Sequence, residues 1–126
     1  MNMMTVEYQL IKPEELSNLS DAFSAIFQSD GFERDYENKW EWLEGYSKPF
    51  HSLINIRREH NWNTGEYDQP IEIKLVYTNF LPQSILDEIG QKIATTFQTT
   101  VHFRALDRPP TIELAYKNEK QYKPAQ

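Results

Sequence analysis

Two stretches of helical period, set among stretches that alternate, leave this chain few ways to fold. Leu16, Leu19, Phe23, Ile26 and Phe27 recur at helical spacing, and so do Ile85, Ile89, Ile93 and Phe97. Each set makes a single apolar stripe, so each helix has one face to bury and needs a layer to bury it against. The alternating segments supply that layer. Val6, Tyr8 and Leu10 alternate with Glu7 and Gln9; Ile54 and Ile56 with Asn55 and Arg57; Ile71, Ile73, Leu75 and Tyr77 with Glu72 and Lys74. Strands of this kind bury one face and leave the other to water.

Pro13 is expected to open the first helix, over residues 13–28, with Glu14 and Glu15 at the positive end of its dipole. Gly31 is expected to close it as the left-handed residue. Pro82 opens the second helix, over 82–97, and Gly90 in its interior marks a close approach by another element. Strands are expected at 5–11, 52–59, 71–77, 101–106 and 111–116, and Asn63-Thr64-Gly65 turns 52–59 back toward 71–77 as an antiparallel pair. The fold class is α+β, a ferredoxin-like β-α-β-β-α-β variant: one sheet of four to five strands with both helices on one face. Phe23, Ile26, Ile73, Leu75, Ile89, Ile93 and Phe103 are the expected core. With 126 residues the chain suits one domain, taken as 1–116, and the polar stretch 117–126 is expected to fray.

Charge is distributed unevenly along this framework. Residues 1–50 hold ten acids against four bases, which accounts for the whole net charge of −6, while 51–126 balance. The acidic part also contains the densest aromatic run, 32–50, inserted between the first helix and the next strand. Phe32, Tyr36 and Trp40 fall at i, i+4 and i+8, which favours a helical turn or two followed by loop. Trp40-Glu41-Trp42-Leu43 also begins to alternate, and on a strand both tryptophans would face one side. Carboxylates steer a basic partner and aromatic rings anchor it. Glu33, Asp35, Tyr36, Glu37, Trp40, Glu41, Trp42, Glu44 and Tyr46 are therefore the candidate partner-binding residues.

Other chemistries find less support. The chain has no cysteine, which removes disulfides, thiolate metal sites and a cysteine nucleophile. His51 and His60 stand at opposite ends of one expected strand, about 30 Å apart if extended, too far to share a scissile group. His102 could meet either, and His60 could join Glu59, Glu66 and Asp68 on a metal, but no standard ligand spacing is present. No catalytic residue, metal or cofactor is expected, since no phosphate loop or nucleophile motif occurs. A pI near 5.0 suits nucleic-acid binding poorly, and Arg57-Arg58 and Arg104 with Arg108 are the only tight basic pairs. The start, MNMMTVEYQL, lacks the pattern of a secretory signal, and no apolar run is long enough to span a membrane, so the expected location is cytoplasmic.

In its small size, acidic character, lack of cysteine and charged aromatic segment, the layout across 1–116 resembles the immunity proteins that bacteria make against toxins. The resemblance implies a stoichiometric inhibitor whose carboxylates pair with a toxin's substrate-binding Lys and Arg while a Trp or Tyr fills a pocket. The partner would be a basic toxin domain encoded by an adjacent gene, with no enzymatic role for this chain. The alternatives are a ferredoxin-like regulatory or ligand-binding domain and an acidic nucleic-acid mimic.

Overall fold

The computed structural model describes residues 3–37, 40–60, 63–106 and 119–125. In chain order the elements are β1 (Met4–Leu10), α1 (Leu16–Phe27), β2 (Glu33–Glu37), β3 (Trp40–Ser47), β4 (Ser52–Glu59), β5 (Ile71–Tyr77), α2 (Gln83–Phe97), β6 (Val101–Ala105) and β7 (Glu119–Tyr122). All seven strands belong to one sheet, ordered β2-β3-β4-β5-β1-β6-β7 and antiparallel at every pairing. The class is α+β, as the two periodicities require. The sheet is larger than the expected four to five strands, and its full order differs from that of a four-stranded ferredoxin-like sheet.

One face of the sheet carries the core. Val6, Tyr8, Leu10, Ile54, Ile56, Ile71, Ile73, Leu75, Val101 and Phe103 are buried there with the helix stripes, and all seven expected core residues are among those buried. The Phe23 and Phe97 rings, 4.9 Å apart, join α1 to α2 above this face. Each helix ends in the same way: Gln28 and Gln98 take left-handed backbone, and each cap N–H donates to the carbonyl four residues back, Ser24 and Ala94. Gln28, not Gly31, therefore closes α1. Its start also differs from expectation: the Leu16 N–H, which a helix opening at Pro13 would direct to the Lys12 carbonyl, donates to Glu41 instead, and the carbonyls of Lys12 and Glu14 accept from the Arg58 guanidinium (2.8 and 2.6 Å).

Among its described residues the insert 32–50 is mostly strand, with a turn at 48–50 and no helix. It is a hairpin of two strands that extends the sheet beyond β4, with Arg34 opposite Leu43 and Leu43 opposite Ile56. The apolar spacing misled because the pleat is inverted here, with a carboxylate facing the core and rings facing out. Glu41 is only 2% exposed and is paired with Arg58, itself fully buried, at 3.0 Å. Its other oxygen accepts from the Leu16 N–H at 3.1 Å, so Glu41 also serves as the anionic cap that α1 does not supply from its own residues.

At the opposite edge, β7 corrects the expectation of a frayed tail. Residues 101–104 pair with 119–122, and the buried Tyr122 ring sits near those of Tyr8 and Phe103. Asp87 of α2 holds the strand: it accepts from the Tyr122 hydroxyl at 2.6 Å, from Gln83 at 2.9 Å, and pairs with Lys120 at 2.7 Å. The expected strand 111–116 and Arg108 lie outside the described residues.

This anchor sets a pH dependence. Partial burial pushes the Asp87 carboxyl up, but its bonds to Lys120, Tyr122 and Gln83 outweigh that and hold it below the usual carboxylate range. Its stabilising contribution is therefore complete above about pH 4 and is lost as pH falls through the lowered value. Burial and the bond to Asp87 push Tyr122 up, so its contribution is complete below about pH 10 and is lost as pH rises through the raised value. Urea midpoints of the wild type and Tyr122→Phe across pH are expected to converge above about pH 10, because phenylalanine has no proton to lose. A constant gap across that window would refute the assignment.

Candidate functional site

Opposite the core, the sheet presents a second face that no described helix covers. Cross-strand register arranges it in rows. One row runs Asp35, Trp42, Arg57, Glu72, Gln9, His102, Gln121; its neighbour runs Glu33, Glu44, Asn55, Lys74, Glu7, Arg104, Glu119. In the middle, opposite charges meet: Arg57 donates to Glu72 at 2.9 Å, and Arg104 donates to Glu7 at 3.1 Å. Toward β2 the balance fails. Glu33 stands directly opposite Glu44, both exposed. Like charges at such a position, with Cβ atoms about 5 Å apart, destabilise a sheet, so one cation set between them would relieve the repulsion.

Aromatic groups lie beside these acids. Trp40 and Trp42 are both half-buried, and the Arg57 guanidinium lies 5.1 Å from the Trp40 ring centre. Tyr46 and Leu53, opposed in register, are 46% and 57% exposed and form an apolar end to the patch. Trp and Tyr rings held on a rigid strand give large contact area at small entropic cost, which suits them as anchors.

Of the nine residues named from the sequence, the fold gathers Glu33, Asp35, Trp40, Trp42, Glu44 and Tyr46 on β2 and β3 beside this surface. Tyr36 and Glu37 stand in register opposite Glu41 and Trp40, and their side chains lie outside the described residues. Glu41 is the correction: it faces the core, bound to Arg58, and cannot meet a partner. Leu53 and Asn55 were missed. A signal for Leu53 existed, since it is the apolar residue in the polar phase of Ser52-Leu53-Ile54-Asn55-Ile56.

The histidines do not converge. His51 lies exposed at one end of β4, and His60 lies buried at the other, stacked on Tyr67 at 4.4 Å. His102 is exposed on β6, three strand steps from β4, or about 14 Å. Among the described residues no three His, Asp or Glu side chains gather as a metal would require, and no helix is long and apolar enough to cross a membrane. A depression of about 570 Å³ near β7 is lined by Gln9, His102, Arg104, Glu119, Lys120 and Gln121, but its cations already pair with Glu7 and Asp87. Comparison of the chain with protein-family models, with curated proteins and with solved structures finds no match.

Proposed function

We propose that this protein is a stoichiometric protein-binding inhibitor of the immunity type, which masks a basic surface of a cognate toxin with the outward face of its β2–β3 hairpin. One observation carries the reading: Glu33 and Glu44, opposed in register and both exposed, share one corner of a sheet face that no described helix covers with two half-buried tryptophans, while opposite charges meet at the middle of that face. Carboxylates there steer a cationic partner and raise its association rate, while the rings supply the short-range energy. The succession β1-α1-β4-β5-α2-β6, with the hairpin set aside, and the neighbours β4-β5-β1-β6 support reading the scaffold as ferredoxin-like with a strand or hairpin added at each edge. In that reading the hairpin is the functional addition to an ordinary scaffold.

The test is binding kinetics with the product of the adjacent gene at two salt concentrations. The triple variant Glu33→Gln, Asp35→Asn, Glu44→Gln is expected to associate several-fold more slowly, with a flatter salt dependence. Trp42→Ala is expected to cost at least about 2 kcal/mol, through faster dissociation. Rates within about twofold of wild type in both variants would place the binding surface elsewhere.

A further inference from the structure

Resting on the function just proposed, we infer that the outer edge of β2 accepts an extended basic segment of the partner as an additional strand. Among the described residues β2 ends the sheet and is paired along one side only, with β3, in unbroken register from Glu33 opposite Glu44 to Glu37 opposite Trp40. A strand end of this kind offers a row of main-chain donors and acceptors to another chain. Proteins commonly blunt such edges with charged side chains, proline or a bulge, and the charge on β2 is mostly negative, which repels most chains but not a basic one. Over its five residues β2 has no proline and no bulge, and its one basic residue, Arg34, is drawn to Glu15 beside α1 at 2.5 Å.

Charge decides which chain can use the edge. An added strand places alternate side chains about 5 Å from Glu33 and Asp35, on the same open face. Lysine or arginine at those alternate positions would meet the two carboxylates and the nearby Glu44. A second copy of this protein fits badly, because an antiparallel two-fold pairing centred on Asp35 sets Asp35 against Asp35 and Glu33 against Glu37. The edge thus repels its own kind and admits a basic strand. Main-chain hydrogen bonds would give affinity, and the alternation of charge would give register.

The experiment uses a short synthetic peptide of alternating lysine and threonine. Two further versions are N-methylated along one or the other main-chain edge, so charge is unchanged while one row of N–H donors is lost. The parent peptide is expected to bind saturably and to slow amide exchange in 33–37, and one methylated version should bind about tenfold or more weakly. Glu33→Gln with Asp35→Asn should weaken the parent peptide as well. If both methylated peptides bind as tightly as the parent, or the parent fails to bind saturably at millimolar concentration, strand addition is refuted. If that happens while the toxin still responds to the carboxylate and tryptophan variants, the face-masking function stands without the edge. If neither assay responds, both readings fall.

Discussion

Replacing Glu41 by leucine is expected to cost about 3–5 kcal/mol, a large share of the roughly 5–15 kcal/mol that holds a domain together. The reason is what remains behind. Arg58 would keep its charge at a position with no solvent exposure, facing two backbone carbonyls and the Tyr67 ring (4.9 Å) but no anion. The Leu16 N–H at the start of α1 would also lose its acceptor. A fall in melting temperature of roughly 10–20 °C should follow. The double variant Glu41→Leu, Arg58→Met removes both charges and is expected to be more stable than Glu41→Leu alone. It should remain below wild type, because the Glu14 carbonyl still loses the Arg58 donor and the Lys12 carbonyl keeps only the Glu14 N–H. Urea unfolding of the four proteins completes the cycle. A single variant within about 1 kcal/mol of wild type, or a double variant worse than the sum of the singles, would refute this role.

The pair also determines what the binding surface can be. With Glu41 held inward, alternation turns Trp40 and Trp42 outward, whereas a one-residue slip of β3 would drive both rings toward the core and the carboxylate into water. Stability and proposed function therefore meet in one buried ion pair, and the Glu41→Leu protein is a poor probe of binding.

This pair also explains which parts of the molecule were legible in the sequence. The core strands were, because Ile54, Ile56, Ile71, Ile73 and Leu75 alternate without a break, and β4 and β5 fall at the expected bounds. The helix stripes were legible for the same reason. β3 was not, since its inward residues are Glu41, Leu43, Gly45 and Ser47, three of them without an apolar side chain, while its outward residues include two tryptophans. An alternation rule reads such a strand backwards unless the inward cation is known, and Arg58 is seventeen positions away. β7 was hidden in another way. Glu119, Lys120 and Gln121 read as a solvated tail, and only Tyr122 enters the core, by a long-range contact that local pattern cannot show. The candidate site was legible as a composition of acids and rings; the division between Glu41 and its neighbours depended on the pleat.

Gly90→Ala is expected to destabilise the protein by about 1–3 kcal/mol, against the sign that helix propensity alone predicts. Alanine in a helix interior is favoured over glycine by about 1 kcal/mol. Here a Cβ at position 90 would fall far inside contact distance of the Tyr122 ring, three of whose carbons are the nearest atoms to it. The ring cannot simply retreat, with Tyr8 and Phe103 near it and its hydroxyl bound to Asp87. β7 must shift outward instead, and exposing an aromatic side chain that is 5% accessible forfeits about 2–3 kcal/mol of burial, more than the propensity gain. Removing the ring should therefore reverse the sign. In a Tyr122→Ala background the three nearest obstructing atoms are gone, and Gly90→Ala is expected to stabilise by about 0.5–1 kcal/mol. Amide exchange at Val101–Ala105 should quicken in Gly90→Ala alone, because β6 then loses its outer neighbour. If Gly90→Ala stabilises the wild type as much as it stabilises Tyr122→Ala, the ring does not occupy the space that the glycine leaves, and β7 is not held in this way.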